Sequence, residues 1–116
     1  MSELTPTIDW EQLDMIADGY TEDFVEIYRD FETDLPSILS RLESAFSAGD
    51  ANGVARAAHQ AKGSAANFGF VGFSSIMAQI EQSAKSGSLA GILDGLDRGR
   101  SAFYESLAAL KRERGI

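Results

Sequence analysis

Between Phe24 and Phe46 the apolar residues fall at Phe24, Ile27, Tyr28, Phe31, Leu35, Ile38, Leu39, Leu42 and Phe46. Steps of three and four wind such a set onto one side of an α-helix, whereas a strand would scatter it over both faces. A stripe that long and that wide is stable only when other elements cover it, so this helix requires partners. The same spacing recurs along most of the chain, no stretch alternates apolar and polar residues for long, and only two prolines occur. These features predict an all-α fold. Pro36 lies inside the long pattern, lacks an N–H and is expected to kink or briefly interrupt it.

Turn and capping residues divide the chain into five helices. The first is expected from about Ile8 to Ala17, with Thr7 as N-cap, Trp10, Leu13 and Ile16 inward, and Gly19 near its end. The second begins after Tyr20, where Thr21 can cap, and ends at "SAGD", in which Gly49 is a stop and Asp50 the next N-cap. The third runs from about Ala51 to Phe68 and is closed by "NFG". A fourth, about Val71 to Lys85, turns Phe73, Ile76, Met77, Ile80 and Ala84 inward. After "SGS" the fifth spans about Leu89 to Arg112, with Leu89, Ile92, Leu93, Leu96, Phe103, Leu107 and Leu110 on one face. Short connections between long amphipathic helices make neighbours antiparallel. The expected architecture is therefore an up-and-down four-helix bundle with an additional short N-terminal helix, one domain over residues 1–116.

Composition removes several classes of function. Cysteine is absent, which excludes thiolate chemistry and Cys-based zinc sites and fits a reducing compartment. A formal net charge of -8 disfavours nucleic acid and anionic lipid as partners. The start "MSELTPTIDW" has neither a basic segment nor an apolar core of a leader peptide, so a cytoplasmic location is expected. Gly63 to Ile80 is an uncharged run of eighteen residues, but three Gly, three Ser, Asn67 and Gln79 make it too polar to span a membrane. Gly91, Gly95 and Gly99 repeat every four residues. Asp94, Asp97, Arg98 and Arg100 among them exclude a membrane dimerisation motif and leave close helix approach, or a loosened first half of the fifth helix, as their meaning.

The only histidine, His59, lies in "AAHQAKGSAANFGF". An α-helix turns about 100° per residue, so with Val54 as the zero direction Ala57, Ala58, Ala61, Ala65 and Phe68 fall within about 60° of it. His59 points roughly 140° away, flanked by Ala55 at about 100°, Ala66 at about 120° and Gly63 at about 180°. The ring is thus expected to face outward among side chains too short to cover it. Gly63 sits mid-helix, where glycine costs about 0.5–1 kcal/mol relative to alanine, and its gain is clearance for a partner's surface one turn from the imidazole. Lys62, at i+3, can reach a group attached to the ring. Singly, each of these residues is ordinary on a helix surface. Together they describe a nucleophile with an anion stabiliser and a docking clearance, which is what phosphoryl transfer needs.

With those residues in place, "HQAKGSAANFG" resembles the motif of the histidine-containing phosphotransfer (HPt) family, matched at His59, Lys62, Gly63, Ser64 and Gly69. The resemblance extends over nearly the whole chain and implies a four-helix bundle with the histidine on its second helix. It implies that His59 accepts a phosphoryl group on Nε2 from a receiver-domain aspartyl phosphate and passes it to another receiver, with Lys62 stabilising the phosphate. It further implies a residue on the following helix that orients the ring through Nδ1. Glu81 stands at the matching offset, with Gln79 and Gln82 as alternatives. Ala61 replaces the larger apolar residue common before the lysine. Ala55, Arg56, Gln60, Ala66, Asn67 and Phe70 surround the site by the angular argument, and together with Gly63 they are expected to provide the docking surface.

No phosphate-binding glycine loop or kinase signature is present, so the expectation is a covalent phosphoryl carrier rather than an enzyme with its own ATP site. One histidine without cysteine makes a poor metal site. No cofactor is expected on this chain, and Mg²⁺ would belong to the partner receiver. The implied partners are response-regulator receiver domains and a (hybrid) histidine kinase, with the chain itself a monomer. A phosphorylation-independent helical adaptor that binds a receiver or kinase is the competing reading. Met1 and an end soon after the last helix favour an independent protein over a kinase-fused module.

Overall fold

The computed structural model describes residues 7–116, so most of the start "MSELTPTIDW", read above as lacking a leader, lies outside the described residues. Five α-helices follow in order: α1 (Trp10–Ala17), α2 (Glu22–Ser47), α3 (Ala51–Ala66), α4 (Val71–Lys85) and α5 (Ile92–Arg114). Helix α3 packs between α2 and α4, α4 packs on α5, and α5 returns to α2, which closes a four-helix bundle. Thr21 Oγ1 accepts the Phe24 N–H and Asp50 Oδ1 accepts the Gly53 N–H, so both expected caps satisfy otherwise orphaned donors.

Several expectations change. The N-cap of α1 is Asp9, whose carboxylate accepts the Gln12 N–H, in place of Thr7. Its C-cap is Asp18, in the left-handed region, one residue ahead of Gly19. Helix α2 runs unbroken through Pro36. Glu32, whose carbonyl loses its helical partner there, is only half-buried, so water can serve it. Helix α5 starts at Ile92 because Ser88 to Gly91 form a turn, with Gly91 at φ 77° as its cap. Ile16, Ile27 and Leu93, expected inside, are exposed. The apolar stripes are wider than the seams between helices, and residues at their flanks stay outside once Leu13, Tyr28 and Leu96 fill the centre.

One end of the bundle is filled by aromatic rings. Phe31 stacks on Phe68 at 4.6 Å between centroids and meets Phe70 and Phe103 edge-on at 5.3 and 5.8 Å. Phe68 and Phe70 come from the α3–α4 turn, which needs Gly69 between them. Gly69 has φ 73°, and a Cβ there would lie 2.8 Å from the Asp9 carbonyl oxygen. Asp9 in turn donates its N–H to the Gly69 carbonyl at 2.7 Å, which seats the start of α1 on this turn. The far side of α1 is held by Arg114, which makes two hydrogen bonds to the Asp14 carboxylate, at 2.8 and 2.7 Å, and lies over the Trp10 ring.

Of the three repeated glycines, Gly95 and Gly99 serve close approach. A Cβ on Gly99 would lie 2.6 Å from Met77 Cε, and one on Gly95 3.0 Å from Ile80. Helix α5 therefore presses directly on α4, the helix that carries Glu81. Phe31 joins aromatic rings from α2, the α3–α4 turn and α5, so Phe31→Ala should cost about 3–5 kcal/mol, read from urea unfolding followed by circular dichroism.

Candidate functional site

Alanines make the site possible. Ala57, Ala58, Ala61 and Ala65 are buried, so α3 approaches its neighbours closely while turning its opposite side to solvent. On that outer side the His59 side chain is 68% exposed. Gly63, one turn further, is exposed and has no atom within 4 Å of the place a Cβ would take.

Beneath the ring lies a charged group with almost no access to water. Glu81 of α4 is only 5% exposed. Its Oε2 is 3.0 Å from His59 Nδ1 and accepts from Lys85 Nζ at 3.0 Å, while its Oε1 accepts from Lys62 Nζ at 2.8 Å. Of the three residues considered for this position, Glu81 reaches the ring; Gln79 and Gln82 are exposed on other sides of α4. The Lys62 hydrogen bond, helped by Lys85 and His59, holds the Glu81 carboxyl at about 2 against its ordinary 4.5, overcoming the opposing effect of burial.

An ionised carboxylate can only accept, so His59 Nδ1 is the donor, and in the neutral ring the lone pair is on Nε2. The Nδ1 edge is anchored inward and the Nε2 edge is presented to solvent. An open groove of about 460 Å³, lined by Ala55, Arg56, His59, Glu81 and Lys85, lies beside it. Lys62 of α3 and Lys85 of α4 thus converge on Glu81 and Arg56 lines the groove, so positive charge gathers here in a protein whose net charge is -8.

Other expected site residues are distributed differently. Arg56, Gln60 and Asn67 are exposed, and Gln60 accepts from Arg41 at 3.0 Å. Ala66 is half-buried, and its carbonyl accepts from the Gln12 side chain at 2.9 Å. Ala55 is buried, because the flank of α4 covers it more than a lone helix would suggest. Phe70 is fully buried and cannot meet a partner: as N-cap of α4 its ring turns into the aromatic cluster. Lys62, expected to await a group on the ring, rests on Glu81. Lys85 was not foreseen, although Glu81 and Lys85 stand at the i, i+4 spacing of a helical ion pair.

An apolar extension that the sequence did not reveal borders the site. His59, Gly63 and Asn67 form an exposed line along α3, about 12 Å long at 1.5 Å per residue. Its Asn67 end opens into a groove of about 390 Å³ lined in part by Ile16, Phe24 and Ile27. Ile16 and Ile27 are 47% and 59% exposed, so an apolar surface continues from the histidine's own helix onto α1 and α2.

The family model described as the Hpt domain matches residues 26–113. The chain belongs to the Hpt domain family. Among solved structures it is similar to the crystal structure of histidine-containing phosphotransfer protein B (HptB) from Pseudomonas aeruginosa PAO1, with a TM-score of 0.87, 25% identity and 97% of each chain covered. A search of curated protein sequences finds no match. The five-helix bundle is thus that of an Hpt domain. None of the described helices is long and apolar enough to cross a membrane.

The buried ion cluster has a pH signature. A carboxyl whose folded pKa is depressed contributes stability that is complete above its unfolded pKa and is lost as pH falls through the folded one. Stability should therefore fall between pH 4.5 and about 2 more steeply in the wild type than in Glu81→Gln, read from urea midpoints at successive pH values.

Proposed function

We propose that His59 is the phosphoacceptor of a phosphorelay, taking a phosphoryl group from a receiver-domain aspartyl phosphate and passing it to a second receiver. The observation that carries this reading is the buried, ionised Glu81, which keeps the proton on Nδ1 and leaves the exposed Nε2 as the nucleophile. The Nε2–P bond forms as the P–O bond to the receiver aspartate breaks, and the carboxylate leaves with the electron pair. No proton has to move. The ring acquires positive charge in this step, and Glu81, 3.0 Å from Nδ1, lies where that charge is stabilised.

Reverse transfer follows the same path with a second receiver as acceptor. Mg²⁺ and the acidic residues that bind it are supplied by the receiver, and this chain acts as a covalent carrier without an ATP site. It works as a monomeric single domain of residues 1–116 in the cytoplasm, with receiver domains and a hybrid histidine kinase as partners. Docking uses the line His59, Gly63 and Asn67 together with the Ile16–Ile27 surface, and Arg56, Gln60, Ala55 and Ala66 lie at its edge.

Incubation with a phosphorylated receiver should place an acid-labile label on the wild type and none on His59→Gln. Equal labelling of the mutant rules the reading out, and intact partner binding without any label on the wild type favours an adaptor. Gly63→Glu should abolish transfer with the circular dichroism spectrum and melting temperature retained, since open space surrounds Gly63 and only an incoming partner is obstructed. Ile27→Glu, also at a solvent-facing position, should weaken receiver binding by about tenfold in a titration, the size expected for a buried interface side chain.

A further inference from the structure

Two ammonium groups share one buried carboxylate at this site, and they do not share it equally. Lys62 binds Oε1 alone, at 2.8 Å. Lys85 binds Oε2, at 3.0 Å, the same oxygen that accepts from His59 Nδ1. The Glu81 side chain is 6% exposed, so it is nearly cut off from water. A carboxylate in that position cannot lose its cations without a large desolvation penalty. Lys62 therefore faces a conflict if it is to stabilise a phosphoryl group on Nε2, because it must leave Glu81 to do so.

We propose that Lys85 is the standing counter-ion of Glu81, which releases Lys62 to move from the carboxylate to the phosphoryl group on His59. The assignment rests on the phosphoacceptor role proposed for His59. The asymmetry of the two oxygens decides which lysine moves. When Lys62 leaves Oε1, Oε2 keeps both Lys85 and the imidazole N–H, so the ring stays oriented and the carboxylate stays compensated. Departure of Lys85 would instead disturb the oxygen on which the ring is anchored. The positive charge gained by the phosphorylated ring is matched by the phosphoryl group it carries, so that charge does not replace Lys85. Lys62 stands one turn from His59 on the same helix and needs only a change of rotamer. Lys85 is thus a positioning residue: it touches neither the phosphoryl group nor the partner and acts through Glu81.

The test is a mutant cycle read in transfer from a phosphorylated receiver, with His59→Gln assayed in parallel. In Lys85→Met, Lys62 should remain on Glu81 and transfer should slow by about tenfold or more, the worth of one charge-assisted hydrogen bond. Lys62→Met should lose a similar factor and the double mutant little more than either single, because both remove the same contact. Lys85→Arg should restore the rate. In a Glu81→Gln background, where no buried charge holds Lys62, adding Lys85→Met should leave the rate unchanged, and this arm is read even if Lys85→Met alone folds poorly. ¹⁵N spectra of the imidazole should keep the Nδ1–H tautomer in Lys62→Met.

Full-rate transfer by Lys85→Met, strictly multiplicative losses in the double mutant, or an equal loss in the Glu81→Gln background would each overturn the role of Lys85 while an unlabelled His59→Gln leaves the phosphoacceptor reading standing. Labelling of His59→Gln removes that reading and the role of Lys85 with it.

Discussion

A carboxylate sealed between two helices sets the geometry around this protein's one histidine. Glu81 sits on α4, its partners His59 and Lys62 sit on α3, and the helices must lie close enough for hydrogen bonds of about 3 Å to cross the gap. The run of buried alanines on α3 permits that approach on one side of α4. Gly95 and Gly99 permit the matching approach of α5 on the other. Small residues in this bundle thus set the position of a charge, and the larger side chains of the aromatic end supply the apolar burial that keeps the helices together.

The balance of charge at Glu81 is unusual for a protein interior. A buried carboxylate is ordinarily costly, yet two ammonium groups and an imidazole N–H here satisfy both of its oxygens. The result is a ring whose orientation is decided from below, with its Nε2 edge left uncovered. Orientation and exposure usually compete, because contacts that fix a side chain also bury it. Placing every contact on the Nδ1 edge removes the competition.

The surface around the ring divides by chemistry. Arg56 lines the groove beside the imidazole and Lys62 stands one turn from it, so positive charge gathers here in a protein whose net charge is -8, while Lys85 is held on Glu81. Further along, Ile16 and Ile27 offer apolar area, with Asp18 and Glu26 close by in sequence on the same helices. In the docking proposed above, the cations lie where a phosphoryl group would arrive and the apolar area where the two proteins would hold together, an arrangement that separates specificity of chemistry from specificity of docking.

Much of this could be read from residue order alone. Helical periodicity, the Thr21 and Asp50 caps and the glycine turns defined the helices to within a few residues, because these signals act over three to five positions and need no tertiary context. The same local geometry turned His59 outward and set Lys62 and Gly63 beside it. Angular arguments failed where a neighbour decides the outcome. Ile16, Ile27 and Leu93 lie outside because the bundle's seams are narrower than the stripes, and Phe70 lies inside because the turn after α3 swings it into the aromatic cluster. The sequence by itself determined five helices and an uncovered imidazole, since both follow from periodicity along one chain. Only the tertiary structure decided that Glu81 is buried, that Lys62 and Lys85 converge on its two oxygens and that α1 extends the histidine surface. Those depend on distances between helices, which the packing of side chains far apart in the chain alone determines.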